Sequence, residues 1–176
     1  MNIIIIGPPG SGKSTQAELL ARHLGVPHIS TGYIARKVME EDSELGRRVK
    51  MQLERGRFVS DEDMMLILES ELRRPKYSEG FILDGFPRNI WQAENSPFRV
   101  DRVFYLKVSD GESIKRLLGR GRKDDTEELI KQRLSDYHNL TEPVLDFYRE
   151  KGILEEVSGE GLIEPIFADI LSRIEK

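Results

Sequence analysis

The sequence has no cysteine, which excludes disulfides and any zinc site built on thiolates. Histidine is scarce too: His23, His28 and His138 are the only three, and they lie far from the spacing of a metal-ligand set. No apolar run approaches the ~20 residues that a membrane helix needs. The opening run, residues 1–6, is too short for a signal peptide and leads directly into a glycine. Neither a leader nor a membrane anchor is expected, and the chain reads as cytoplasmic. An excess of positive charge is also missing, since 27 Lys and Arg stand against 31 Asp and Glu for a net charge of −4. Without a global positive field nothing recruits nucleic acid or an acidic membrane surface, so neither is expected as a partner. Internal repeats, low-complexity tracts and inter-domain linkers are absent.

What is present fits one domain. At 176 residues, 38% hydrophobic and 33% charged, the chain can bury one ordered core with small insertions folded onto it. Residues 3–6 are β-branched throughout, which suits a strand covered on both faces of a parallel sheet. Similar runs lie at 81–83 and 103–106, with a weaker one around 153–157. Helical patterns alternate with them, for example at 15–24 and 61–72. The alternation predicts an α/β, three-layer fold around a parallel sheet of about five strands. Three stretches interrupt it. Residues 30–59 are helical by pattern and carry no strand, so they read as a small helical insertion. Residues 118–125 form a short, charged, glycine-containing loop. A long helical pattern over 126–150 contains Pro143, which has no N–H to donate, so a break is expected near residues 139–140.

The strongest chemical signal is Gly7-Pro8-Pro9-Gly10-Ser11-Gly12-Lys13-Ser14, a full match to the phosphate-binding loop pattern G-x-x-x-x-G-K-[ST] between a strand and a helix. Its glycines let backbone N–H groups turn inward around phosphate oxygens at a helix N-terminus. Lys13 then reaches the terminal phosphates, and the Ser14 hydroxyl is offered to Mg²⁺. A second apolar strand ends in Asp84, followed by Gly85 and Arg88. A carboxylate at a strand's C-terminal end faces the crevice where α/β folds bind ligands, and there it can orient Mg²⁺ through water. The planar fork of Arg88 can grip a second phosphate. Phosphoryl transfer spreads negative charge over several oxygens, so fixed guanidinium groups are the expected catalysts. Arg36, Arg88, Arg116, Arg120, Arg122 and Arg133 are the candidates. Salt bridges on solvated helix faces are the plainer alternative, above all for Arg116 and Arg133.

Together, the phosphate loop, Ser30-Thr31-Gly32 with Arg36, Asp84-Gly85-Phe86-Pro87-Arg88 with Gln92, Arg122-Lys123-Asp124-Asp125 and Arg133 resemble the adenylate kinases, nucleoside monophosphate kinases of the short-lid form. The resemblance implies that ATP and AMP are the substrates and ADP the product, with Mg²⁺ accompanying the nucleotide and no zinc. It further implies that Gly10, Ser11, Gly12, Lys13, Ser14 and Thr15 hold the ATP phosphates, with Arg116 and the backbone near Gly161 beside the ATP adenine. Thr31, Gly32, Arg36, Arg57, Phe58, Val59, Gly85, Arg88 and Gln92 would form the AMP site, Thr31, Val59 and Gln92 reading its base. Arg120, Arg122 and Arg133 would converge on the phosphates as residues 119–125, a very short lid, and the insertion at 30–59 close. A monomer is expected.

The chain departs from the family pattern at three positions. Tyr33 stands where an aspartate is usual, Asn89 where adenylate kinases commonly have threonine, and Trp91 where a small residue or proline is frequent. A Pro-Arg-Asn order is similar to that of UMP/CMP kinases, whereas Thr31 and Gln92 are the adenine-type choices. A UMP/CMP or broad-specificity kinase is therefore the rival within the class. A phosphate-loop ATPase acting as a switch is the rival outside it.

Overall fold

The computed structural model describes residues 1–55, 57–121 and 125–175. Five parallel strands are hydrogen-bonded in the order β2-β3-β1-β4-β5: β1 Asn2–Ile6, β2 His28–Ser30, β3 Phe81–Asp84, β4 Arg102–Lys107 and β5 Leu154–Ser158. Helices α1 Lys13–Leu24, α2 Thr31–Val38, α3 Glu44–Glu54, α4 Asp61–Leu72, α5 Ile90–Glu94, α6 Asp110–Arg120, α7 Glu127–Asp136, α8 Val144–Glu150 and α9 Ile163–Ile174 connect them. The α/β sheet expected from the strand and helix patterns is therefore present, with the β-branched run at its centre. Ile3, Ile4 and Ile5 are fully buried and alternate between two cores. Ile3 and Ile5 pack with Ala17, Leu20 and Ile170 on the α1/α9 face, and Ile4 packs with Leu68, Phe86 and Tyr148 on the other. Burial on both faces is why these strands read as continuous apolar runs. Among the described residues no helix is long and apolar enough to cross a membrane.

The chain leaves β1 toward β2 and leaves β4 toward β5 on the other side, so a topological switch point lies between β1 and β4 at the C-terminal ends of the strands. The phosphate loop and the start of α6 meet there.

The structure differs from the sequence expectation in two places and gives a third its detailed form. Ser30 ends a strand rather than opening the insertion; β2 is only three residues long, at the sheet edge, and His-Ile-Ser gives too little pattern to read. Two helices, α2 and α3, follow it. The charged loop at 118–125 begins later than its composition indicated, because α6 runs through Arg120 and stops at Gly121, whose φ of 65° makes a left-handed cap. The break expected near residues 139–140 takes a specific form. Tyr137–Thr141 is a π-helical turn in which the Glu142 N–H donates to the Tyr137 carbonyl five residues back. The wider turn accommodates Pro143, which cannot donate. It also places the Thr141 hydroxyl 2.8 Å from the Arg88 carbonyl oxygen, to which it donates.

Candidate active site

The phosphate loop is built on backbone conformation. Gly10 and Gly12 have φ of 79° and 85°, a region that only glycine enters at little cost. Gly10 has a second reason: a Cβ there would lie 2.8 Å from the Ser113 carbonyl and 2.9 Å from Leu117 Cγ, so α6 rests directly against the loop. Gly12 faces open space. The Ser11 hydroxyl is buried and has no partner. Lys13 and Ser14 begin α1, with Ser14 exposed and its hydroxyl bonded to none of the described residues. Thr15 is likewise exposed in the first turn. The Lys13 ammonium donates to the Pro8 carbonyl at 3.2 Å.

Across from the loop, β3 delivers Asp84 with only 3% of its surface exposed. Its carboxylate meets His28 Nε2 at 2.6 Å and accepts more weakly from the Ser30 hydroxyl at 3.4 Å. Gly85, with φ of 81°, lets the chain pass Thr31, whose hydroxyl a Cβ would meet at 2.4 Å. Thr31 is fully buried and donates to the Asp84 carbonyl. Arg88 donates through Nε to the Gly85 carbonyl at 2.9 Å, and its guanidinium stacks 4.2 Å from the centre of the Phe58 ring. Arg36 lies against Gly32 on α2, Val59 is buried, and Arg57 is exposed.

Charge in this cleft is lopsided. Burial, with Arg88 and Arg120 nearby, lowers the Lys13 ammonium from 10.5 to about 8 despite the Asp84 carboxylate. Burial, with Arg133 and Arg36 nearby, lowers Arg88 to about 10, again against the pull of Asp84. The structure thus brings Arg88 and Arg120 into electrostatic reach of Lys13, and Arg36 and Arg133 into electrostatic reach of Arg88. Arg122 lies outside the described residues. Like charges crowd together at such a cost where a polyanion completes the site.

Two of these arginines share an anchor that sequence reasoning quoted without giving it a role. The Asp125 side chain is fully buried and accepts from Arg120 Nε at 2.8 Å, Arg120 Nη2 at 2.9 Å and Arg133 Nη1 at 3.2 Å. The end of α6 and the last turn of α7 are joined through it. Arg116 is held by Glu112 at 2.7 Å and by the carbonyls of Gly159 at 3.0 Å and Ser11 at 3.5 Å. It bridges the phosphate loop to the turn after β5. Gly161 sits in that turn with φ of 115°, and Gln16 on α1 ties the same segment down by donating to the Ile163 carbonyl.

Gln92 is only 2% exposed, and both ends of its amide are engaged. Oε1 accepts from the Arg88 backbone N–H at 2.8 Å, while Nε2 donates to Asp61 at 2.7 Å. Asn89, one of the departures from the family pattern, caps α5 by accepting from the Gln92 N–H and donates to the same Asp61 carboxylate. Asp61, Thr141 and His28 were not among the site residues that sequence reasoning singled out, and Asn89 was noted only as a departure bearing on the choice of base. Their roles depend on contacts between elements 28 to 56 residues apart for the carboxylate-bound members.

A family model described as adenylate kinase matches residues 5–153. The chain belongs to the adenylate kinase family. It is 41% identical to the adenylate kinase of Prochlorococcus marinus subsp. pastoris over 98% of this chain and 97% of that protein. It is also 41% identical to that of Stenotrophomonas maltophilia, over 99% of both chains. With that of Mycolicibacterium smegmatis it shares 40%, again over 99% of both. Membership makes the chain an enzyme, a phosphotransferase that acts on nucleotides.

Proposed function

We propose that this phosphotransferase catalyses ATP + AMP ⇌ 2 ADP by direct in-line transfer between two nucleotides held on either side of the cation cluster. The observation that carries the reading is that cluster: Lys13 and Arg88 are both pushed down by burial and by neighbouring guanidiniums, with Asp84 the carboxylate opposing both. Five cations of this kind suit the oxygens of two phosphate chains in a water-poor cleft.

On the donor side, Gly10, Gly12 and Thr15 would present backbone N–H groups and the Ser11 hydroxyl to the ATP phosphates. Lys13 would follow the γ-phosphoryl group as it moves. On the acceptor side, Arg36 and Arg88 would grip the AMP phosphate, with Thr31, Val59 and Gln92 around its base. The attacking phosphate oxygen is already anionic, so no residue need remove a proton. Arg120 and Arg133, with Arg122, would cover the transferring group. The residues at 119–125 and the insertion at 30–59 are the parts that would close to exclude water.

Mg²⁺ is a hard cation that takes oxygen ligands and retains several waters. The free Ser14 hydroxyl and the Asp84 carboxylate fit it, the first directly and the second through water. Bound with ATP, it would neutralise charge on the β- and γ-phosphates. Among the described residues no group of three or more His, Asp or Glu side chains is arranged to hold a metal.

Asn89 gives the chain its resemblance to the pyrimidine kinases, but its side chain already caps α5 and pairs with Asp61. That supports AMP as acceptor. The test is the steady-state rate of ADP formation from ATP·Mg with AMP, CMP, UMP and GMP side by side, with acceptor omitted as a control. AMP is expected to lead. CMP or UMP leading would move the enzyme to the pyrimidine branch, and phosphate release without acceptor would reopen the ATPase reading.

A further inference from the structure

An amide side chain can be turned over, exchanging its donor and acceptor, unless its partners forbid it. Gln92 has partners that do. The Asp61 carboxylate only accepts, so Nε2 must face it at 2.7 Å. The Arg88 backbone N–H only donates, so Oε1 must face it at 2.8 Å. Asp61 is itself held from the far side, where Asn89 Nδ2 reaches its two oxygens at 2.9 and 3.0 Å. Asn89 also fixes the backbone of Gln92 by capping α5. Each Gln92 amide atom retains one unused position, a lone pair on Oε1 and a hydrogen on Nε2, for which the described residues provide no bond.

We infer that Asp61 is a specificity-determining positioning residue, holding the Gln92 amide so that the acceptor site takes a base with an amino group beside an unprotonated ring nitrogen. This rests on the reading that Gln92 meets the base. With the amide fixed, the base must give a hydrogen to Oε1 and accept one at Nε2. Adenine does so with its 6-amino group and N1, and cytosine has the same order in its 4-amino group and N3. Hypoxanthine, guanine and uracil present an oxo group beside a ring N–H, the reverse order. To pair with them the amide would have to turn over, setting Oε1 against the Asp61 carboxylate and Nε2 against the Arg88 N–H. Leaving buried polar groups unpaired is how a site rejects a near-isosteric ligand strongly. Hypoxanthine tests this most cleanly, because it differs from adenine at that edge without the extra 2-amino group of guanine.

The experiment compares kcat/KM for AMP and IMP in the wild type, Asp61→Asn, Asp61→Glu and Gln92→Ala, with KM for ATP and Tm measured for each. In Asp61→Asn the new side-chain amide can donate as well as accept, so the turned-over Gln92 loses one of its two penalties. The AMP-to-IMP preference is expected to fall about tenfold in Asp61→Asn, a difference of about 1.4 kcal/mol. The change should appear in the acceptor KM, with KM for ATP held. Asp61→Glu, still acceptor-only, should retain the preference. Asp61→Ser carries the same expectation as Asp61→Asn and replaces it if that variant does not fold. Equal losses for AMP and IMP, with the ratio unchanged, would reduce Asp61 to a structural role and overturn the inference. If Gln92→Ala abolishes the preference while neutral variants of Asp61 keep it, the inference fails and the base-reading role of Gln92 stands. If Gln92→Ala leaves the preference intact, both fall together.

Discussion

On the proposed reading of the site, its donor and acceptor halves are made differently. The donor side is a run of eight consecutive residues whose work is done largely by backbone: positive φ at Gly10 and Gly12, and a helix start at Lys13. The acceptor side is assembled from side chains on separate elements: Thr31 on α2, Asp61 on α4, Asn89 and Gln92 at α5, and Thr141 on the π-helical turn behind Arg88. A backbone site leaves a contiguous trace in the sequence and tolerates almost no change of residue type where φ is positive. A side-chain site leaves scattered traces, and its parts can be exchanged if their hydrogen-bonding order is kept.

The largest expected effect lies at the one position of the donor loop that acts through a charged side chain. Lys13→Ala should lower kcat by about a thousandfold, the upper range for removing one preorganised charge from the developing charge of a transition state. The fold should be retained. Burial is the main cost of the Lys13 charge, with Arg88 and Arg120 adding repulsion, so its removal offsets the lost attraction to Asp84 and Tm should not fall. Turnover at the wild-type rate would break the division of labour between the two halves, because the donor side would then be acting through backbone alone.

The next contrast is internal to the loop. Gly10 and Gly12 share a positive φ, but only Gly10 is pressed by α6. Alanine at Gly12 should cost about 1–2 kcal/mol of stability, the penalty for a left-handed residue. Alanine at Gly10 adds overpacking against a backbone oxygen, typically about another 1–3 kcal/mol. Urea denaturation of the two variants would measure the gap. Equal losses would mean that α6 can draw back and that the loop is not braced by it.

The same division explains what could be read from the sequence. The phosphate loop, the buried strands and helices α1 and α4 were legible, because each is declared by neighbouring residues or by a short period. The parallel sheet followed from the alternation. β2 was not located, since three residues at a sheet edge carry no period. Asp125 was visible only as part of Arg122-Lys123-Asp124-Asp125. Its burial beneath Arg120 and Arg133 depends on how α6 and α7 pack. Asp61 entered the sequence reading only as the first residue of the helical pattern at 61–72, and nothing near it in sequence indicates Gln92. Gln92 itself was legible as a base reader only through the resemblance. The network that fixes its amide required coordinates.

The smallest expected effect connects the two halves through a proton. Lys13 sits on the donor side, yet Arg88 of the acceptor side helps lower its affinity for a proton to about 8. A nucleotide phosphate placed beside it favours the charged form, so its pKa rises on binding. At pH 8, where the free enzyme carries this proton about half the time, binding should therefore take up roughly half a proton at Lys13. Well below that pH the lysine is already charged and its uptake vanishes. Calorimetry of ADP binding at pH 8 in buffers of different ionisation enthalpy would detect it. The same measurement on Arg88→Met should give less uptake, because losing a neighbouring cation raises the resting pKa of Lys13 before the nucleotide arrives. Unchanged uptake in that variant would mean that burial, Asp84 and Arg120 set the pKa without Arg88, and that Arg88 does not reach the donor lysine until both nucleotides are in place.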